Sequence, residues 1–226
     1  MNITYLAMSD IPSKNANSLQ IVQMCNALSE IGCKVKLTKP SFYNTSQLSI
    51  KKYYGIKNKI QIINIGRKIK NLSKIDNIII PFKLSIYALL NKKEIFITRN
   101  LVVSLFLILL RIKHILELHD DIQTSGKKIS IIFKKLSLLN SSKISKLVFI
   151  TRNLKKFISK KYNYRKKNFQ ILPDASSLKI SLSKTVKKKK LKIGYFGSIY
   201  KSLIVVWIRL KLKKKIHKKQ LVNILG

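Results

Sequence analysis

Carboxylates are the scarcest chemistry in this chain. Eight Asp and Glu stand against 47 Lys and Arg, for a formal net charge of +39 over 226 residues. Cysteine is nearly as limited, with two residues. Cys25 and Cys33 lie eight positions apart on or just after one expected helix. Eight helical positions span about 12 Å, beyond the reach of a disulfide. With no CxxC and no Cys/His cluster, a zinc site is excluded as well. Two free thiols fit a reducing cytoplasm. Seven glycines are spread thinly, and the first loop, Pro12 to Ser18, contains none. That excludes a GxGxxG dinucleotide fingerprint and a P-loop there, and no GxSxG elbow occurs anywhere. The longest apolar run, Leu101 to Leu110, is broken only by Ser104 and is half the length a bilayer span needs. The amino terminus, Asn2-Ile-Thr-Tyr-Leu-Ala7, has neither a basic n-region nor an apolar h-region, so no signal peptide is expected. No repeat at solenoid periods is found. The chain reads as cytoplasmic, with at most a peripheral contact on the inner face of the membrane.

What is abundant is lysine, isoleucine and asparagine: 41, 36 and 16 residues, against six arginines. A hydrophobic fraction of 46% is ample for a core. The charge has three readings. Biased composition is the blandest, attraction to an anionic membrane surface the second, and nucleic-acid binding the third. A dedicated nucleic-acid surface is usually richer in Arg, whose planar fork suits phosphate and guanine. Lys127, Lys128, Lys134 and Lys135 flank Ile129, Ile131, Ile132 and Phe133 in a basic amphipathic stretch that suits an anionic membrane.

The order of elements points to an α/β fold. Ile3 to Met8 reads as a strand and is followed by a turn-rich loop. A helical pattern runs from Leu19, with Asn17 or Ser18 as N-cap and Gly32 as its stop. Cys33 to Thr38 alternates as a second strand. That strand-helix-strand unit opens a doubly wound parallel sheet. Residues 42–74 are vague, apart from a strand at Ile60 to Ile65. Further on, Ile78 to Leu90 reads as a helix after Pro81, Glu94 to Thr98 as a strand and Leu101 to Arg111 as a buried helix. His114 to Leu118 is the next strand, Ile129 to Leu139 an amphipathic helix and Lys146 to Thr151 a strand. Leu154 to Tyr162 completes the helices, and Phe169 to Leu172 the strands.

Two places could carry chemistry. Glu117-Leu-His-Asp-Asp121 holds three of the eight acids and one of three histidines, at the carboxyl end of an expected strand. Open α/β sheets bind ligands at such ends. A histidine there can donate a hydrogen bond to a substrate or move a proton near neutral pH, and neighbouring carboxylates favour its charged form. The bland alternative is a strand-end turn in which an Asp caps the next helix. The second place is Gly194-Tyr-Phe-Gly197-Ser198-Ile-Tyr-Lys201, a strand running into a Gly-Ser turn whose backbone N–H groups can approach a phosphate, with Lys201 adding a point charge. Its bland alternative is a tight turn. His114, beside an apolar strand, and His217, in a lysine run, are lone and are given no role.

Taken in order, Ile11-Pro12 with Ser18 to Gly32, Thr98-Arg99-Asn100, Glu117-Leu-His-Asp120, Val148-Phe-Ile-Thr151, Leu172-Pro-Asp174 and Gly194 to Ser198 resemble the family-4 retaining glycosyltransferases. The resemblance implies the GT-B plan: two Rossmann-like domains, the first taking the acceptor and the second a nucleotide-sugar donor. It implies an acceptor-side domain over residues 1–175, a lysine-rich linker over 176–190 and the start of a donor domain over 191–226. His119 matches the amino-domain histidine near the donor sugar. Gly197, Ser198 and Lys201 match the loop that approaches the donor diphosphate, and Asp174 matches the interdomain Pro-Asp turn. The expected reaction is metal-free transfer, from a nucleotide sugar as substrate, to a surface glycan or lipid-linked acceptor, with no cofactor. Two departures weigh against activity of this chain by itself. Beyond Asp174 it contains no Asp or Glu, where the family places a pair of glutamates, and Ser202-Leu203 replace the usual glycine after Lys201. The expectation is therefore a truncated, inactive transferase. The alternatives are a basic non-catalytic module for anionic membrane or nucleic acid, and a product without function.

Overall fold

The computed structural model describes residues 1–42, 47–56, 58, 60–69 and 73–173, without the side chains of 42, 47–49 and 67–69. These residues belong to one compact unit, Met1–Ser176. Asp174, Gly197, Ser198, Lys201, the expected linker and the expected donor segment all lie outside them.

Strand and helix alternate along the chain: β1 (Asn2–Leu6), α1 (Ala16–Glu30), β2 (Lys34–Phe42), α2 (Gln47–Tyr54), β3 (Gln61–Ile69), α3 (Asp76–Leu90), β4 (Ile95–Thr98), α4 (Leu101–Leu109), β5 (His114–Leu118), α5 (Lys127–Lys135), β6 (Ile144–Phe149), α6 (Arg152–Tyr162) and β7 (Phe169–Ile171). The strands form a seven-stranded sheet in the order β3-β2-β1-β4-β5-β6-β7, with every pairing parallel. This is a Rossmann-like, doubly wound α/β fold. Connections run outward from β1 in one direction through β2 and β3. They then cross back to β4 and continue the other way, so the switch point falls between β1 and β4.

Parallel strands covered on both faces read as continuous apolar runs, and β1 shows it, with Ile3 to Leu6 all buried. The side-chain period of two then sorts residues by face. Tyr5, Val35 and Leu37 pack with Ile21, Val22 and Cys25 of α1 and Ile50 of α2. On the opposite face Leu6 and Phe96 meet Ile80 and Leu84 of α3 and Val103 and Leu107 of α4. Leu116, Leu118, Leu147 and Phe149 meet Phe133 of α5 and Ile158 and Tyr162 of α6.

Several local expectations change. Helix α1 starts at Ala16, a turn earlier than read, with Asn15 at the N-cap. Asn17 and Ser18 do not cap it. The Asn17 amide donates to Ser9 Oγ at 2.6 Å and the Ser18 hydroxyl to the Asp10 carbonyl at 2.7 Å, so both tie down the loop after β1. Gly32 ends the helix as read. At φ +85° it occupies the left-handed region that a Cβ disfavours, and the Cys33 and Gly32 N–H groups bond back to the Leu28 and Ser29 carbonyls. Helix α3 begins at Asp76 and carries Pro81 inside it. The lysine-flanked stretch at 127–135 is helical, but Ile129 and Phe133 are buried in the core, leaving only Ile131 of the outer apolar set strongly exposed. Among the described residues no helix is long and apolar enough to cross a membrane.

Candidate functional site

A cleft of about 310 Å³ opens where β1, β4 and β5 end, beside the switch point of the sheet. Its walls come from the ends of these three strands, the start of α1 and the segment that follows β5. Register places the key side chains together. Tyr5 pairs with Ile97 and Ile97 with Ile115, so Glu117, two residues on, shares the face of Tyr5.

Glu117 organises the floor. It is 5% exposed. One carboxylate oxygen accepts from Tyr5 Oη at 2.8 Å and the other from His119 Nε2 at 2.5 Å. Burial alone would raise the Glu117 pKa. The His119 hydrogen bond and charge, the Arg99 guanidinium and the Tyr5 hydroxyl outweigh it and hold the carboxyl below its usual range. An ionised carboxylate only accepts, so the proton between these residues sits on His119 Nε2. Tyr5 is shifted the other way. Burial first, and then the Glu117 charge, push its hydroxyl well above the ordinary value, so it remains a donor.

Around this floor lie polar groups suited to hydroxylated ligands. Ser9, Asn17, Asn100, Thr124 and Ser125 line the cleft with Asp120 and Arg99. Arg99 is held by Gln20 of α1, through Nη1 to Oε1 at 2.9 Å. Asn100 caps α4, its Oδ1 accepting from the Val103 N–H at 2.9 Å.

The acidic run after β5 therefore divides. His119 and Glu117 form the central pair. Asp120 is exposed, and its Oδ1 accepts from the Asp121 N–H at 2.7 Å. Asp121, also at the cleft wall, is engaged outward: Lys161 Nζ lies 2.5 Å from Oδ2 and Tyr162 Oη 2.8 Å from Oδ1. Burial would raise the Asp121 pKa, and the hydrogen bonds from Lys161 and Tyr162 and a backbone bond to Gln123 bring it below its ordinary value. His114, given no role from sequence, is a core residue. Its ring bonds Ser104 Oγ at 2.8 Å and faces the Ile112 carbonyl, and burial lowers its pKa to about 4.

Tyr5 was not singled out from sequence, and Arg99 entered only within the Thr98-Arg99-Asn100 motif, with no role assigned to it. Tyr5 reads as an ordinary strand aromatic and carries no local signal. Arg99 had one: it is an arginine in a lysine-biased chain, placed directly after a strand. Among the described residues no group of three or more His, Cys, Asp or Glu is placed to hold a metal ion. Among the described residues, a cavity of about 320 Å³ between Gly66 and α3 is mainly apolar, and another of about 460 Å³ is lined by Ser137, Asn140, Asn163, Arg165 and Lys166; neither holds a histidine. In comparisons with known proteins, no family model matches the chain and no curated protein matches it.

Proposed function

We propose that the described unit is the acceptor-side half of a retaining glycosyltransferase of the GT-B plan, using a nucleotide sugar as donor and a surface glycan or lipid-linked sugar as acceptor. One observation carries this reading. In a chain of net charge +39, the cleft at the sheet's switch point gathers three carboxylates, a histidine and several amides and hydroxyls. Such a lining repels phosphate and accepts hydrogen bonds from sugar hydroxyls. His119 is the residue assigned to touch the sugar at the reacting centre. Glu117 holds the ring in place through its contact with Nε2, so that a donor or acceptor is fixed beside the reacting oxygen before it arrives. Arg99 and Asn100 are assigned to acceptor hydroxyls. The donor diphosphate is assigned to Gly197, Ser198 and Lys201, with Asp174 at the interdomain turn.

The test is saturation-transfer NMR on the purified chain with a panel of monosaccharides and disaccharides, and with free nucleoside diphosphates for comparison. Binding of at least one sugar, lost in His119→Ala with the fold intact by circular dichroism, is expected. Absence of any sugar binding, or competition for the cleft by a nucleoside diphosphate alone, overturns the reading. Residues 175–226 contain no Asp or Glu, so the chain by itself is expected to turn over no nucleotide sugar.

A further inference from the structure

The segment after the cleft has the opposite composition. Residues 122–173 carry fourteen Lys and Arg and no Asp or Glu. Two helices of this segment lie side by side on one face of the sheet, joined by a buried hydrogen bond of 2.8 Å between Ser130 Oγ and Tyr162 Oη. Their inner sides are fixed by Ile129, Phe133, Ile158 and Tyr162, all in one core cluster. Helical periodicity then sets the outer sides. On α5, Lys127, Lys128, Ile131, Lys134 and Lys135 are exposed, followed by Leu136; on α6, Arg152, Lys156, Phe157 and Lys160 are exposed. Ile131 is 51% exposed, Leu136 66% and Phe157 47%.

From this surface we infer that the outer faces of α5 and α6 form a docking site for an anionic lipid bilayer. Cations alone would fit any polyanion. The discriminating feature is three large apolar side chains standing among them. Aliphatic and aromatic groups ringed by lysines enter the headgroup boundary while the lysine stems let the charges reach lipid phosphates. A nucleic-acid surface would use arginine forks and stacking aromatics instead, and this face presents Arg152 and one exposed phenylalanine. The α3 surface makes the contrast. Ile75, Ile78, Ile79 and Phe82 are about equally exposed, yet among the described side chains only Lys74 and Lys83 accompany them. The inference stands on the α5–α6 surface and not on the transferase reading, and its test does not involve sugar.

Co-sedimentation of the full chain with phosphatidylcholine vesicles, with and without phosphatidylglycerol, reads it directly. Binding should require the anionic lipid and weaken with salt. Lys127, Lys128, Lys134 and Lys135 all changed to Gln should lower the partition coefficient by about thirtyfold or more. Lys51, Lys52, Lys92 and Lys93 changed to Gln removes the same charge elsewhere and should cost far less. Ile131→Ser with Phe157→Ser should weaken binding at unchanged charge and leave a residue that salt removes more easily. Equal losses from the two lysine sets would reduce the surface to net charge and overturn the site. So would a loss confined to an Ile79→Ser, Phe82→Ser variant of α3. Tighter binding to duplex DNA than to anionic vesicles at the same salt, lost in the same α5 variant, would assign the surface to nucleic acid.

Discussion

The cleft and the α5–α6 face are built from adjacent stretches of one chain, yet they hold opposite chemistry. Within five residues, 117–121, the chain places three of its eight acids; over the next 52 it places none. The same lysine-rich composition surrounds both. The difference is that each cleft acid has a fixed partner: Tyr5 and His119 for Glu117, Lys161 and Tyr162 for Asp121, and a backbone N–H for Asp120. The outer lysines of α5 and α6 stand on helix surfaces whose packing is done by other residues. Composition therefore explains the lysines site by site, but not the carboxylates. A charge that persists against the bias and is hydrogen-bonded from several elements marks the place where structure constrains chemistry.

The strongest way to break this contrast is to remove its centre. Glu117→Ala leaves Tyr5 Oη and His119 Nε2 facing a buried void without their acceptor. Each orphaned donor costs roughly 1–3 kcal/mol, so a loss of about 3 kcal/mol in urea unfolding is expected. Glu117→Gln keeps an acceptor oxygen and should lose less. If Glu117→Ala unfolds like the parent chain, the carboxylate is a surface charge and the cleft has no organising centre.

Acid separates the cleft from the core beneath it. His114 lies on the same strand as Glu117, and its folded pKa of about 4 is below the ordinary 6.5. The fold thus prefers the neutral ring. The corresponding stability is fully present above pH 6.5 and is lost as pH falls through that window towards 4, amounting to ~3 kcal/mol. Glu117 is also depressed, from 4.5, so its contribution is retained above that value and lost below it. Urea midpoints at pH 7 and pH 4.5 should therefore diverge more for the parent chain than for His114→Gln, in which the other acid-sensitive groups remain and cancel. Equal pH dependence in both proteins would show that His114 is not held neutral.

Much of the scaffold is legible in the sequence itself. Strand β5 was read with the bounds it has, because an apolar run ending in charges has few other uses in an α/β chain. Gly32 marked the end of α1 for a reason of backbone geometry. The start of α1 was misread because Asn17 and Ser18 are good caps by type, and nothing local shows that Ser9 and Asp10 claim their side chains. Pro81 misled in a similar way: proline favours a helix start, whereas here it sits in the sixth position of α3, buried, with Ser85 Oγ donating to its carbonyl at 2.8 Å. His119 and Glu117 were visible as a cluster. Tyr5 was not, because it is 112 residues from Glu117. Only the placement of β4 between β1 and β5 brings the two together, and strand order is a long-range property that local patterns do not encode. The amphipathic character of α5 was visible, but the helix runs over Lys127–Lys135 and not to Leu139, because Ser137 turns into the left-handed region, and period alone does not say which apolar residues face inward. The core took Ile129 and Phe133 and left Ile131 outside.

The smallest effect tests whether the two regions are independent. Tyr162 is the residue that touches both: its hydroxyl donates to Asp121 at the cleft wall and is bonded to Ser130 of α5. Burial, and then the Asp121 charge and hydrogen bond, raise its pKa despite the Ser130 contact, so it acts as a neutral donor at ordinary pH. Tyr162→Phe keeps the ring in the core and deletes only this bridge, for an expected cost of about 1–2 kcal/mol in urea unfolding. Asp121→Asn in the same background should add less than it does alone, since the two share one network. Full additivity would mean that the hydroxyl and the carboxylate do not communicate. If Tyr162→Phe also weakens sugar binding in the cleft while leaving Glu117 and His119 intact, the α5–α6 layer positions the acidic wall. If sugar binding is unchanged, the carboxylates are held by β5 and its neighbours alone, and the basic face is free to meet a membrane without disturbing the site beside it.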